Sequence, residues 1–370
     1  MGAATQDRAV PGDAGPALAA SLSAAPPAEQ SLAKAPKWPR DGAWLNGRSS
    51  SGKIYSGKVS LIYFWDYTSI NCLREIPLLK RLDETYHPYG FQLIWVHAPE
   101  FSFAKQKENI QKAVGRLKIT QPVFLDNDFK LWEAFENRSW PTKYLIDEDG
   151  RILQSWVGEG RDQEAEYKIR LVLQGMKPQT VLPGFVMRGE RELFDPKTCG
   201  YMTGETYLGH KRAGWWGGQI ANRQWMEPEN TMFFKDEGKR VERGFFAQGL
   251  WQNREDDFKH ARETFGLDDY LGLNYIAHEV YVVAHQTNEK GLSRVYVTRD
   301  GEPIPPAYRG LDLREDPEGT YFLIAEPRLY YLIQNDTQEL HELRLWTPSE
   351  GVAINSFSFA NLCLSDLDMS

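Results

Sequence analysis

The sequence predicts an α/β domain followed by an all-β sandwich, and three observations lead to this fold class. Strand-like and helix-like segments alternate between Trp38 and about Gly175. Beyond residue 200 short alternating apolar runs are separated by turn residues, as in a β-sandwich or jelly roll. The length of 370 residues is enough for two hydrophobic cores. We therefore expect a disordered segment over residues 1–36, an α/β domain over 37–176, a linker over 177–200 and a β-sandwich over 201–370.

The elements of the first domain follow from apolar periodicity, taken in chain order. Asp149-Gly150 is a strong hairpin signal between its last two strands, and Gly175 is a natural helix stop. Buried apolar runs or alternation predict strands, at Ser60–Trp65, Phe91–His97, Pro122–Leu125, Lys143–Ile146 and Ile152–Val157. Apolar residues spaced three and four apart predict helices, at Cys72–Tyr86, Phe103–Leu117, Lys130–Phe135 and Arg161–Leu173.

The second domain is predicted from short strands and from its many aromatic residues. Alternating runs predict strands at Glu279–Ala284, Arg294–Thr298, Tyr321–Ile324, Arg328–Ile333, His341–Trp346 and Asn355–Phe359. Most of the large aromatic residues are expected in the core between the sheets or between the domains. Trp215-Trp216, flanked by glycines, is the candidate for an exposed ligand platform.

Composition and charge exclude several classes of function. The net charge of −8 and the pI near 5.5 argue against binding to nucleic acid or to an anionic membrane surface. No apolar run is long enough to span a bilayer. The first 36 residues are rich in Ala, Pro, Ser and Gly and have no sustained apolar region, so they predict disorder and no signal peptide. The chain as written is thus expected in the cytoplasm.

The most informative segment runs from Phe64-Trp65 to Ser69-Ile70-Asn71-Cys72, where a predicted strand gives way to a helix. A thiol at such a junction lies near the positive end of the helix dipole, which favours the reactive thiolate. The other cysteines, Cys199 and Cys363, are far apart in sequence, so they form no disulfide framework or zinc site. They are expected to be small buried residues, with a mutual disulfide as the alternative.

This segment resembles the active site of the DipZ-type thioredoxin-like proteins, which are redoxins related to the TlpA group. In that family Phe-Trp leads into a Cys-Ile-Asn-Cys site at the same spacing. Six further segments match in order, at residues 97–101, 126–128, 140–147, 158–160, 205–209 and 357–359. The resemblance implies a thioredoxin-like fold, thiol-disulfide oxidoreductase ancestry and a second domain like a carbohydrate-binding module. It also implies a cis peptide bond before Pro141, a polypeptide partner, no cofactor, and an extracytoplasmic location if the N-terminus is trimmed.

Two departures from the family pattern change the expected chemistry. Ser69 replaces the first, attacking cysteine, and a serine hydroxyl is too weak an acid to replace a thiolate in disulfide exchange. Tyr63 replaces a buried acid that moves protons for the second cysteine of the family. Ordinary dithiol–disulfide cycling at this site is therefore excluded. The presence of serine at position 69 is also explained by a purely structural role, as the N-cap of the helix.

The candidate catalytic residues are accordingly Cys72, Ser69 and Pro141. The resemblance implies that a partner would contact Trp65, Trp140, Thr142, Glu75 and His97. Glu75 is equally explained by the preference for acids in a first helical turn. A structural role is the alternative for His97, and the seven histidines do not suggest a metal site.

Three hypotheses for function remain open at this point. The first is a redoxin that acts, if at all, through the single thiol of Cys72. The second is a non-catalytic binding protein that uses the thioredoxin-like groove for a polypeptide and the β-domain for a carbohydrate or a protein. The third is a one-cysteine peroxidase, because Ser69 and Cys72 have the Thr/Ser-x-x-Cys spacing of peroxiredoxins.

Overall fold

A computed structural model describes residues 33–39, 42–47, 54–187, 200–212, 219–222, 227–242, 244–288 and 291–361. Most of the segment expected to be disordered, residues 1–32, lies outside these ranges. Residues 188–199 of the expected linker lie outside them as well.

The first domain is built on a six-stranded sheet with the strand order β1-β4-β3-β2-β5-β6. The three strands β2, β3 and β4 run parallel, and β1, β5 and β6 pair antiparallel with their neighbours. The strands are β1 (Ala43–Leu45), β2 (Val59–Trp65), β3 (Phe91–His97), β4 (Val123–Leu125), β5 (Thr142–Ile146) and β6 (Ile152–Val157). The α-helices are α1 (Ile70–Tyr86), α2 (Lys107–Arg116), α3 (Lys130–Ala134) and α4 (Asp162–Met176).

Both faces of this sheet are covered, which explains its continuous apolar strands. All seven residues of β2 are buried. Because successive side chains of a strand point to opposite faces, Tyr63 and Trp65 pack into the core under α1, α2 and α4. Ile62 and Phe64 pack into a second core under α3. The alternation therefore places Tyr63 directly beneath the helix that carries Cys72.

The helix predicted over Phe103–Leu117 is wrong in its first turn. Residues Ser102–Lys105 form a 3-10 helix, which ends at Gln106, and α2 begins only at Lys107. Gln106 has an extended backbone, with φ −74° and ψ 119°, so the helical hydrogen bonds are interrupted there. Short 3-10 helices also lie at His87–Tyr89 and Pro306–Tyr308.

The second domain is a large β structure in two layers, consistent with a sandwich, and its strands pair antiparallel except for β8, which pairs parallel with β10. Its strands within the described ranges are β7 (Thr206–Tyr207), β8 (Gln219–Ile220), β9 (Thr231–Phe234), β10 (Gly244–Asn253), β11 (Phe258–His260), β12 (Tyr270–Ile276), β13 (Glu279–Gln286), β14 (Ser293–Arg299), β15 (Glu302–Pro303), β16 (Arg314–Asp316), β17 (Gly319–Ile324), β18 (Arg328–Gln334), β19 (Leu340–Trp346) and β20 (Val352–Ala360). One layer has the order β16-β17-β14-β19-β12-β10, and the other has the order β10-β11-β20-β13-β18.

The two layers share the long strand β10, which changes layer at Gly249. Residues 245–248 pair with β12, whereas residues 249–252 pair with β9 and residues 251–253 with β11. Gly249 has φ +101°, a left-handed conformation that side chains rarely adopt. A Cβ atom there would lie 1.9 Å from the Asp269 carboxyl carbon, so both backbone and space require glycine at the change of layer.

One of the hydrophobic cores contains residues of both domains. The cluster under α1 also contains buried side chains of the second domain, namely Tyr207, Tyr281, Val283, Leu329 and Ala360. The ring of Phe103 lies 5.0 Å from the ring of His285, and the Ser102 backbone N–H donates to Asp256 at 2.9 Å. The described part of the chain contains no helix with the length and apolarity needed to cross a membrane.

Candidate functional site

The candidate site lies at the turn between β2 and α1, and Asp66 organises this turn. The buried Asp66 carboxylate accepts hydrogen bonds from the Thr68 backbone N–H at 2.6 Å and from the Glu100 backbone N–H at 2.8 Å. Its Oδ2 lies 3.4 Å from Nε2 of His97. Burial alone would raise the pKa of Asp66, but its bonds with His97, Thr68 and Glu100 outweigh burial and lower it. The turn is therefore held by an ionised carboxylate.

Ser69 occupies the N-cap position of α1, as the sequence predicts. Its backbone is extended, with φ −90° and ψ 117°, and its side chain makes no capping hydrogen bond. The Ser69 side chain instead acts to lower the pKa of the Cys72 thiol. Ser69 is partly exposed and therefore stands at the accessible end of the Ser-x-x-Cys segment.

Cys72 is buried, with 0% of its surface exposed. Burial is the largest influence on this thiol and raises its pKa well above the ordinary value, and the charges of Asp66 and Glu75 act in the same direction. The Ser69 side chain favours the thiolate but does not offset burial. The expectation that the helix terminus makes Cys72 a thiolate is therefore wrong for this structure, because the thiol has no access to water.

Tyr63 ties the end of β2 to the first turn of α1. Its hydroxyl donates to the Cys72 carbonyl oxygen at 3.1 Å. Burial, and next the Glu75 charge, raise the pKa of Tyr63 well above its ordinary value, so the phenol remains neutral. Where the resemblance predicts a buried acid, the chain thus has a neutral hydrogen-bond donor with a positional role.

A buried ion cluster lies one helical turn beyond Cys72. Lys143 donates to Glu75, to Asp162 at 2.8 Å and to the Gly160 carbonyl oxygen at 2.8 Å. The Gly160 N–H donates to Glu75 at 2.9 Å. Burial raises the pKa of Glu75 to about 7 against the opposing effect of Lys143. Burial lowers the pKa of Lys143, but its two carboxylate partners outweigh that effect and raise it, so the lysine stays charged.

Four of the five predicted substrate-contacting side chains have almost no accessible surface, so that prediction needs correction. Trp65, Thr142, His97 and Glu75 are all buried within the first domain. Their contacts are with the protein itself: the Thr142 hydroxyl donates to the Ser139 carbonyl oxygen at 2.8 Å, and His97 stacks on Tyr67 with ring centroids 5.5 Å apart. These four side chains pack beneath the site in the domain interior and have almost no exposed surface for a partner to contact.

Trp140 and Pro141 lie beside the turn, as expected. The peptide bond between them is cis. Trp140 is partly exposed and donates from Nε1 to the Ala98 carbonyl oxygen at 3.0 Å. Because Phe64 pairs with Thr142 across β2 and β5, Pro141 lies next to Trp65 at the same end of the sheet. The structure therefore brings Ser69, Cys72 and Pro141 to one end of the sheet.

The surface near this end has one prominent apolar residue. Val157, the last residue of β6, is 66% exposed and pairs with Thr142. The N–H of the next residue, Gly158, donates to the Pro141 carbonyl oxygen at 2.8 Å. Val157, Trp140, Ser69 and the exposed Asn71 thus provide the accessible apolar and polar groups around the buried thiol.

Sequence reasoning missed Lys143, Asp162 and Asp66. A lysine within a strand is ordinarily assigned to the solvent face, but both faces of β5 are covered here. The start of this strand at Thr142, beside the buried strand β2, was the available signal that Lys143 would need a partner. The expected ligand platform, Trp215-Trp216, and the cysteines Cys199 and Cys363 lie outside the described residues.

Comparisons with known proteins agree with this two-part organisation. The Redoxin family matches residues 30–170, and the family described as a thioredoxin-like C-terminal domain matches residues 203–360. Protein DipZ of Mycobacterium tuberculosis is 32% identical over 319 residues, which cover 85% of this chain and 41% of DipZ. The chain therefore spans about two fifths of the length of that relative.

A shorter relative matches the first domain alone. The thiol-disulfide oxidoreductase YkuV of Bacillus subtilis is 28% identical over 131 residues, which cover 35% of this chain and 88% of YkuV. A solution structure of a thioredoxin-like protein in the oxidised form is 26% identical, with a TM-score of 0.36. The match covers 39% of this chain and 97% of the chain in that solution structure.

Proposed function

We propose a specific role for the site, from the premise that the chain is a thioredoxin-like redoxin, homologous to DipZ and similar to thiol-disulfide oxidoreductases. The site binds a polypeptide thiol or disulfide partner without completing a dithiol–disulfide cycle. Any covalent chemistry would require local opening that exposes Cys72.

The burial of Cys72 behind Ser69 is the observation that carries this proposal. Disulfide exchange begins when an accessible thiolate attacks a disulfide sulfur. The accessible position holds a serine, and the thiol behind it is fully buried with a raised pKa. Binding is therefore the part of the redoxin reaction that the accessible residues support.

A one-cysteine peroxidase is supported less well by the same residues. The feature that favours it is the Ser69 side chain, which acts to lower the pKa of the Cys72 thiol. Reaction with peroxide requires an accessible thiolate with a lowered pKa. Burial opposes both requirements, so we place this activity below partner binding.

The partner surface is proposed to consist of Ser69, Asn71, Trp140 and Val157. These side chains are exposed or partly exposed at the end of the sheet where Pro141 lies. Val157 and the face of Trp140 supply apolar contact area, while Ser69 and Asn71 supply hydrogen-bonding groups. An extended polypeptide segment that carries a cysteine is the ligand whose chemistry fits this combination.

The proposal is tested by restoring the missing thiol. The variant Ser69→Cys recreates a Cys-x-x-Cys site, and we expect it to reduce insulin disulfides with dithiothreitol as electron donor. The wild type should remain at the background rate. The matched control Ser69→Cys with Cys72→Ala should form stable mixed disulfides but not turn over, because it lacks the second thiol.

Two outcomes would contradict the proposed role. Insulin reduction by the wild type would mean that Cys72 acts alone. Failure of the control to capture any cysteine-containing peptide would mean that the surface around residue 69 does not bind polypeptides. Because the control keeps Trp140 and Val157, weaker capture by an additional Val157→Ser change would locate the partner surface.

Two finer proposals come from the DipZ-type resemblance alone. The first is a carbohydrate ligand on the second domain, which calorimetric titration with oligosaccharides would test, with Trp215→Ala as the comparison.

The second is an extracytoplasmic location, which a fusion to a reporter enzyme active only outside the cytoplasm would test.

A further inference from the structure

Three of the segments that match the family lie apart in sequence but meet at the contact between the two domains. Glu100 follows β3 in the first domain, Glu205 and Tyr207 lie at β7, and Ser358 lies on β20. Their side chains, with Arg212, form a hydrogen-bonded cluster that the thiol site does not use. We call this cluster the carboxylate clasp.

The clasp is centred on the hydroxyl of Tyr207. This hydroxyl lies 2.5 Å from Oε1 of Glu100 and 2.8 Å from Oε2 of Glu205, so it bridges two carboxyl groups from different domains. A phenol has one proton to donate. It can donate to one carboxylate, but it makes a hydrogen bond with the other only if that carboxyl group is itself protonated. The geometry therefore requires one proton on the pair.

The remaining groups of the clasp fix its charge. Arg212 donates from Nη1 to Glu100 Oε1 at 2.7 Å and from Nη2 to the Glu100 carbonyl oxygen at 2.7 Å. The Ser358 hydroxyl donates to Glu205 Oε1 at 2.7 Å. With one shared proton the cluster of two carboxyl groups and one guanidinium is neutral. Without that proton it carries one negative charge. Such a charge is costly on the Glu100 carboxylate, whose side chain is only 4% exposed, whereas Glu205 is exposed.

The clasp is connected to the turn that carries Ser69. The backbone N–H of Glu100 donates to Asp66, and Asp66 in turn accepts from the backbone N–H of Thr68. One residue thus joins the second domain, through its side chain, to the candidate thiol site, through its main chain. A change in the clasp reaches the turn through these two hydrogen bonds.

We propose that the carboxylate clasp is a proton-dependent fastening between the domains. While the pair holds its proton, the second domain is held against the segment from Pro99 to Phe101 and against the turn at Asp66. When the proton leaves, the contact loosens and the turn around Ser69 gains freedom. This regulation goes beyond the proposed polypeptide binding and does not depend on it.

The electrostatic surroundings support the direction of this effect. Burial first, and the Glu205 charge second, raise the pKa of Glu100 to about 7. On the first domain Asp66, with His97 behind it, faces the pair; on the second Arg212 faces it, with Asp256 near Arg212. An acid whose pKa is raised in the closed state stabilises that state less as pH rises through the raised value.

Hydrogen–deuterium exchange of the full chain at pH 6 and pH 8 tests the proposal, with rates corrected for intrinsic pH dependence. Peptides spanning residues 98–106 and 203–210 report on the clasp. If the open carboxyl group has its ordinary pKa, release of one proton should raise the opening constant about tenfold between these pH values. The exposed-site control Glu339→Gln should keep this pH dependence.

Two clasp variants separate the fastening from other titrating groups. Glu205→Gln is neutral and nearly isosteric, so it should remove the pH dependence in both peptides. Tyr207→Phe lacks the bridging hydroxyl and should increase opening at pH 6 as well as at pH 8. If Glu205→Gln does not fold, as judged by circular dichroism, Glu100→Gln replaces it with the same expected result.

Two results would overturn the proposal. One is equal protection of the wild type at pH 6 and pH 8. The other is a pH dependence that survives Glu205→Gln, which would assign it to Glu159 or Asp257, since burial also raises the pKa of those carboxyl groups, to about 7 and about 6. The exchange readout involves neither the thiol nor a bound polypeptide, so it remains decisive even if the proposed function fails.

Discussion

The ammonium group of Lys143 lies 2.8 Å from the Asp162 carboxylate, and this pair joins strand β5 of the first sheet to the start of helix α4. The Lys143 side chain has no exposed surface, and Glu75 of α1 is its second carboxylate partner. One lysine thus connects three elements around the candidate thiol site. Removing the lysine charge leaves two buried carboxylates without a cation, and the first prediction follows from this.

Lys143→Met should destabilise the protein strongly. Methionine keeps much of the side-chain volume, so the main effect is two buried carboxyl groups without their cation, at a cost of about 3–5 kcal/mol. The free energy of unfolding in urea measures this effect. The surface control Lys130→Met, at a residue 70% exposed and paired with Asp128, should change that free energy by no more than about 0.5 kcal/mol. Equal effects of the two variants would show that the cluster is not sealed from water.

Cys72 should resist alkylation in the folded protein. Because burial raises the pKa of this thiol and removes its access, labelling with iodoacetamide at pH 8 should be at least roughly tenfold slower than in concentrated urea. Peptide mass spectrometry follows Cys72 separately from Cys199 and Cys363. The reporter variant Lys130→Cys should label rapidly under the same conditions. Native labelling of Cys72 at the rate of the reporter would restore the single-thiol hypothesis.

Glu75→Gln should flatten the dependence of stability on pH. The pKa of Glu75 is raised to about 7, mainly by burial, so its contribution to stability falls as pH rises from the ordinary glutamate range through about 7. Between pH 6 and pH 8 this contribution to the free energy of unfolding amounts to about 1 kcal/mol. Urea titrations of wild type and Glu75→Gln should therefore differ in slope by this amount, while the exposed-site control Glu133→Gln should match the wild type. Identical slopes for wild type and Glu75→Gln would contradict a raised pKa of Glu75.

Local pattern was sufficient to predict most elements of the first domain. The strands Phe91–His97 and Ile152–Val157 have the predicted bounds, because their apolar patterns are bounded by turn residues. The thioredoxin-like α/β fold is confirmed by the parallel sheet and the Redoxin match. The break at Gln106 was missed because the apolar spacing continues across it.

The second domain was predicted less completely. The sandwich class agrees with the antiparallel sheets, but strands β10 and β12 were not predicted. Gly244 and Gly249 interrupt the pattern of β10, and Gly272 interrupts that of β12. These glycines are required by close contacts with other strands and side chains, which depend on the tertiary structure and have no local signature.

For the candidate site, sequence indicated which residues meet but not which are accessible. The spacing of Ser69 and Cys72 and the match at Pro141 placed them at one end of the sheet, where the structure has them. Burial of Cys72 and the pairing of Lys143 depend on helices packed against both sheet faces. The contact of Glu100 with Tyr207 joins residues 107 apart, a distance at which sequence pattern carries no pairing information.

The change of layer at Gly249 has a consequence for how the second domain can be assembled or divided. Since β10 contributes its first half to one layer and its second half to the other, neither layer has a complete set of neighbours without it. A fragment that lacks this strand would expose an unpaired edge in both layers, and such edges promote aggregation. The two layers therefore form a single folding unit, and the segment from Gly244 to Asn253 is an unsuitable place for insertion, circular permutation or exchange between homologues.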